Sequence, residues 1–156
     1  MKIFHSVVVS VFIKEEEDYN LIKDKYLELF PFDLKKARVL FFVQSASTFN
    51  ERQIKILEVR IEKEKFLNEF MNNILLKISK NDIKMMLDQI DTRVDENGDF
   101  FFRISKEKVI QNKPEYIIVD DGNCYHFKCH VAAYPQNKQN AINVVTNFLD
   151  NFLTKE

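Results

Sequence analysis

Ile3-Phe4-His5-Ser6-Val7-Val8-Val9-Ser10-Val11-Phe12-Ile13 decides the fold. The stretch is rich in β-branched and aromatic residues and contains neither Gly nor Pro, so it is a β-strand. Its near-continuous apolar character reads as a strand with neighbours on both sides, central in a sheet. The acidic run Glu15-Glu16-Glu17-Asp18 follows and opens a helix over residues 15–30, complementing the positive end of the helix dipole. Tyr19, Ile22, Tyr26 and Leu29 recur on one stripe of that helix, and Pro31 stops it.

The same two periods organise the rest of the chain. Val39-Leu40-Phe41-Phe42-Val43 reads as a second strand, followed by a polar, irregular stretch over residues 45–50. Residues 53–61 alternate: Leu57, Val59 and Ile61 face one way, Glu58, Arg60 and Glu62 the other, as in a half-exposed strand. Two helices come next. Phe66, Phe70, Met71, Ile74, Leu75 and Ile78 mark the first, and Ile83, Met86, Leu87, Ile90 and Val94 the second. Ser79-Lys80-Asn81-Asp82 separates them and caps the second. Asp95-Glu96-Asn97-Gly98-Asp99 is a turn, with Gly98 free to take a positive φ. Phe100 to Ile104 is a strand, and Ser105 caps a short helix over residues 106–111. Residues 116–119 and 125–133 flank Asp120-Asp121-Gly122-Asn123 and read as a hairpin. Pro135 ends it, and a last helix over residues 138–153 buries Ala141, Val144, Val145, Phe148, Leu149 and Phe152. Residues 1–156 therefore form one α+β domain of two layers, a mostly antiparallel sheet with helices packed on one face.

Composition bounds the function. Fifteen Phe in 156 residues predict a rigid aromatic core. With 23 basic and 24 acidic residues the net charge is −1, so any nucleic-acid site is a local patch and not a property of the whole surface. No stretch reaches the roughly 20 apolar residues that cross a bilayer, and no signal-peptide pattern opens the chain; a cytoplasmic protein is expected. Cys124 and Cys129, five residues apart on one strand, point to opposite faces about 16 Å apart along it, too far for a disulfide, so both are read as reduced thiols.

Catalytic and metal chemistry find little support. His126 and His130 share a strand face about 13 Å apart and cannot ligate one ion, although His5 can approach one of them across the sheet. The acidic turn at 95–99 is a poor calcium loop: Arg93 stands where an acidic ligand is needed, and Lys106 takes the closing position. Cys124 and His126 share a face, but nothing in the sequence stabilises a thiolate, and an enzyme would need His5, His126 and Cys124 in one pocket. No catalytic residue, metal or cofactor is expected. What remains is basic: Lys36, Arg38, Arg60, Arg103 and Lys106, with Arg60 and Arg103 on one polar face if their strands join the same sheet. Such cations hold phosphates while an exposed Tyr or Phe stacks on bases; the plainer alternative is a solvated charged face, diluted by Glu51, Glu58 and Glu62.

Several of these stretches resemble an archaeal family of predicted RNA-binding domains, also described as an exosome-associated subunit. They are residues 5–18, Ile56-Leu57-Glu58-Val59-Arg60-Ile61, residues 87–98, Phe100-Phe101-Phe102-Arg103-Ile104-Ser105-Lys106, and Val131-Ala132-Ala133-Tyr134-Pro135. The resemblance runs nearly the full chain. It departs at residues 45–50, which lack the Gly of a freer turn. It implies a fold similar to the ribosomal protein that binds five-S rRNA, a curved antiparallel sheet with helices on one side. It also implies a non-enzymatic RNA-binding accessory, with exosome or ribosome components as partners. The alternative is an interaction module that forms a homodimer through an open sheet edge or apolar patch, without nucleic acid.

Overall fold

The computed structural model describes residues 2–47 and 49–154. Of the stretch at 45–50, Thr48 lies outside the described residues, as does Met1 of the apolar start. Five strands are present, β1 (Phe4–Lys14), β2 (Leu40–Ser47), β3 (Gln53–Ile61), β4 (Asp99–Ser105) and β5 (Cys124–Val131). They form one antiparallel sheet in the order β2-β3-β1-β5-β4. The Val-rich stretch is the middle strand, as its pattern predicts. The helices are α1 (Tyr19–Leu27), α2 (Glu64–Leu76), α3 (Lys80–Asp88), α4 (Ile90–Arg93), α5 (Lys106–Ile110) and α6 (Lys138–Leu153).

Alternation along the strands sorts side chains into two layers. Val7, Val9, Val11 and Ile13 of β1, Leu57, Val59 and Ile61 of β3, Phe100, Phe102 and Ile104 of β4, and Tyr125, Phe127, Cys129 and Val131 of β5 are buried. They belong to one hydrophobic cluster with the inward sides of α1, α2, α3 and α6. Helices α1 and α2 lie on β1, α6 on β4 and β5, and α3 on α6. Four rings run from helix to sheet as a near-parallel column: Phe30 to Phe70 at 4.9 Å, Phe70 to Phe127 at 6.0 Å, and Phe127 to Phe102 at 4.5 Å. Tyr26 stacks on Tyr125 and donates its hydroxyl to the Val9 carbonyl at 2.6 Å.

Three boundaries differ from the sequence reading for local reasons. Helix α1 starts at Tyr19 because Asp18 is its cap, accepting from the Leu21 N–H at 3.1 Å, while Glu15 and Glu16 form a turn ahead of it. Strand β2 continues through Ser47, because its register with β3 holds to Ser47 opposite Gln53. The second helix is interrupted at Gln89, whose backbone (φ −101°, ψ 12°) leaves the helical region, giving α3 and α4.

The hairpin of residues 116–119 with 125–133 does not form. Strand β5 pairs instead with β1 and β4, and Ile118 bridges Ile104 on the far edge of β4, with Ser105 N–H donating to Ile117 O and Val119 N–H to Arg103 O. The Asp-Gly signal is local and says nothing about which strand each arm joins. Elsewhere local chemistry holds: Ser79 and Ser105 cap α3 and α5, and Gly98 sits at φ +80° in the 95–99 turn. No described helix is long and apolar enough to cross a membrane.

The stacked tyrosines make a test of the core. The Tyr125 hydroxyl is buried without a hydrogen-bond partner among the described residues, unlike that of Tyr26. Tyr125→Phe removes an unsatisfied polar group and is expected to hold or raise stability, by up to about 1–2 kcal/mol, whereas Tyr26→Phe removes a buried hydrogen bond to the Val9 carbonyl and lowers it by about 1–2 kcal/mol. Urea unfolding of both variants checks this; equal losses would contradict it.

Candidate nucleic-acid interface

Because every helix that covers the sheet lies on the Val7–Val9–Val11 side, the other face is left to side chains of opposite parity. Strand register lays them out in rows. One row runs Leu40, Arg60, Val8, Lys128, Phe101, and the next runs Phe42, Glu58, Ser10, His126, Arg103. Gln44, Ile56 and Phe12 follow, while Ser6, His130 and Asp99 lie at the other end. Phe12 is 56 % exposed, Leu40 51 % and Phe42 43 %. The open face thus carries aromatic rings among cations, an arrangement that core packing does not require.

The cations differ in how they are held. Arg60 and Arg103 do share this face, but three strands apart, about 14 Å across the sheet, with Lys128 between their strands. Arg60 Nε donates to Glu62 Oε1 at 2.6 Å, and Lys128 Nζ lies 3.8 Å from Asp99 Oδ2. Arg103 Nη1 donates to the Asp120 carbonyl at 2.8 Å. Lys36 and Arg38 are exposed in the turn before β2, on the approach to Leu40 and Arg60, and Arg38 takes φ 55° there.

Lys106 is a correction. It is 2 % exposed, so it does not reach a ligand. Its Nζ donates to the Phe12 carbonyl at 3.0 Å and pairs with Glu17 at 3.0 Å, tying α5 to the end of β1. The sequence places it in a basic cluster because burial of a single cation has no local signature.

The histidines divide along β5. His130 donates from Nδ1 to Asp99 Oδ1 at 2.7 Å, and its ring lies 5.5 Å from His5, so His5 does approach one of the pair. Burial lowers the pKa of His5, with the charges of Lys2 and His130 acting the same way. His126 sits four residues along, 5.8 Å from the Phe101 ring, and burial, then Arg103 and Lys128, lower its pKa. Cys124 joins Ser10, Phe12, Arg103, Gly122 and His126 around a cleft of about 300 Å³, where burial pushes its thiol up and keeps it protonated. Cys129 faces the core; both cysteines are free. Among the described residues no three His, Cys, Asp or Glu side chains converge as metal ligands. The Asp95 carboxylate is used within its turn, accepting from the N–H groups of Asn97 and Asp99.

A cleft of about 570 Å³ lies where the face meets α4, lined by Gln89, Arg93, Phe101, Arg103, Asp120 and His126 among others. Arg93 and Lys128 are absent from the candidate binding cations read from the sequence. Period-2 reading of Cys124-Tyr125-His126-Phe127-Lys128 would have placed Lys128 beside both histidines; Arg93 comes from a helix and needs the tertiary fold.

An open-faced five-stranded antiparallel sheet, backed by helices, makes this a two-layer α+β protein. The chain belongs to the RNA_binding family, described as "RNA binding", whose model matches residues 6–132. It is 24 % identical over 146 residues to RNA-binding protein PAB1135 of Pyrococcus abyssi, covering 94 % of each chain. Its fold matches crystal structures of two further archaeal proteins. Protein AF2318 from Archaeglobus fulgidus has a TM-score of 0.79 and 23 % identity, with 94 % of this chain and 99 % of that one covered. SSO0741 from Sulfolobus solfataricus has a TM-score of 0.73 and 21 % identity, with 95 % and 96 % covered.

The role of Lys106 can be measured. Burial pushes the Glu17 carboxyl up, but hydrogen bonds from the Lys14 N–H and Lys106 outweigh it and leave its pKa below the usual value. A depressed carboxyl stabilises above the ordinary carboxylate range and loses that contribution as pH falls through its folded value. Lys106→Met is expected to lower stability by about 2 kcal/mol at neutral pH, discounted for the partial exposure of Glu17, and the deficit should shrink below about pH 4. Denaturation curves at pH 7 and pH 3 that show the same deficit would refute the assignment.

Proposed function

We propose that this chain binds single-stranded RNA across the open face of its sheet, as a binding protein without a catalytic step. The supporting observation is the mixed lattice of Phe12, Phe101 and Phe42 with Arg60, Lys128 and Arg103 on a face that no helix covers. Rings stack on any base through its π-face, and cations beside them hold the phosphates, so the surface tolerates sequence variation. Membership of the RNA_binding family and the name of its Pyrococcus relative favour RNA over other anions. Lys36 and Arg38 extend the cationic set past Leu40. An accessory role beside the exosome or ribosome is the form of this function that the family resemblance implies.

Phe12→Ala and Phe101→Ala are each expected to weaken a mixed-sequence RNA oligomer by about 1–3 kcal/mol. Arg60→Ala and Lys128→Ala should each reduce the slope of log K against log salt by about 0.7. Lys84→Ala removes the same charge from an exposed site on α3, in the covering layer, and should change neither. Fluorescence anisotropy across a salt series reads all five; no RNA binding at low salt ends the proposal.

A second reading rests on the sheet edge. Chain segments bridge both ends of β4, but among the described residues β2 pairs with β3 alone, and Leu40-Phe41-Phe42-Val43-Gln44-Ser45-Ala46-Ser47 has no charge or Pro to block pairing. Two copies can satisfy each other there by antiparallel pairing. Light scattering should then give twice the chain mass, and Val43→Lys should return it to one; a monomer at high concentration excludes this reading.

A further inference from the structure

The cleft beside α4 collects more positive charge than its surroundings neutralise. Arg93 is nearly buried, its side chain 11 % exposed, and is aimed by Gln89, whose Oε1 accepts from Nε at 3.0 Å and from Nη2 at 2.7 Å. Arg103 enters from β4 and His126 from β5, with Phe101 forming an aromatic wall. Two guanidiniums face one carboxylate, that of Asp120, which lies 3.6 Å from Arg93 and is 85 % exposed. The same residue's carbonyl takes the Arg103 hydrogen bond. Each guanidinium carries five donors, of which these hydrogen bonds use two on Arg93 and one on Arg103, and both residues line the cleft. Arg103 repels both Arg93 and His126, and with two guanidiniums to one carboxylate the site is short of negative charge.

We propose that this cleft binds a terminal phosphate of a nucleotide, with Asp120 occupying the anion's place when the site is empty. Resting on the RNA reading above, the inference assigns the end of the strand to this edge. A phosphomonoester carries close to two negative charges at neutral pH and matches paired arginines better than a phosphodiester with one. Beyond β4 the edge is filled on both sides, by Val94 against Phe100 and by Ile118 against Ile104, so a strand crossing the face meets protein here and stops. Phe101 lies beside the cleft in the row of Arg60 and Lys128, where the last base can stack.

The test compares one RNA oligomer carrying a 5′-phosphate, a 3′-phosphate or two hydroxyl ends, and uridine monophosphate alone, against the full chain. One phosphorylated end should bind at least about tenfold more tightly than the hydroxyl form. Arg93→Gln should abolish that difference. Asp120→Asn lies on the surface, removes the competing carboxylate and should enlarge it severalfold, which keeps the test valid if the arginine variant folds poorly. If uridine monophosphate binds in an Arg93-dependent way while no oligomer binds, the cleft stands as a phosphate site for free nucleotides and the RNA reading falls. If all oligomers bind alike and Asp120→Asn changes nothing, the cleft proposal is overturned while the RNA reading survives.

Discussion

The column of Phe30, Phe70, Phe127 and Phe102 fastens the helical layer to one side of the sheet, and everything the other side offers follows from that attachment. Burial of each ring removes a large apolar area from water, and stacked rings add specific geometry to it. With Phe127 committed inward, alternation leaves His126 and Lys128 no direction but outward. With Phe102 inward, Phe101 and Arg103 go the same way. A slip of one residue in β4 or β5 would exchange core for surface along the whole strand. The composition of the open face is therefore held in place by the energetics of the closed one.

That face is not strongly positive. Glu62 holds Arg60, and Asp99 lies against both Lys128 and His130, within a chain of net charge −1. Long-range attraction of a polyanion is correspondingly small. Contact-range forces must supply affinity: stacking on exposed rings, and charge-assisted hydrogen bonds from guanidiniums already aimed by their neighbours. The exposed Arg60–Glu62 pair contributes little to stability, so exchanging its carboxylate for a phosphate disturbs the fold little. Arg103 differs from Arg60 in this respect, since its hydrogen bond goes to a carbonyl and not to a carboxylate.

Much of the architecture is legible in the sequence because it is written in short-range patterns. Alternation in Leu57-Glu58-Val59-Arg60-Ile61 predicts the two faces of β3, and Ser79 and Ser105 predict their helix starts. What fails is what depends on distant partners. Residues 116–119 have strand character, but they bridge the outer edge of β4 and not β5, a choice made by tertiary space. Lys106 looks like a surface cation until β1 and Glu17 close over it. Arg93 reads only as a flaw in a calcium loop, since its meaning comes from Arg103 and His126, brought alongside by β4 and β5. The fold was therefore readable to the level of elements and faces, and the site only to the level of residue type.

The bare edge and the open face are not independent features. Leu40 and Phe42 belong to both, because β2 is the edge strand and its outward side chains end the rows that contain Arg60 and Glu58. Antiparallel pairing of two β2 strands about a two-fold axis normal to the sheet keeps both open faces on the same side. Five strands and five strands then form one surface, with apolar Leu40 and Phe42 from each copy at its centre and the cationic clefts beside α4 at its far ends. Dimerisation would thus lengthen the surface proposed for RNA instead of competing with it. The absence of charge along β2, a liability in a monomer, becomes a requirement of the longer platform.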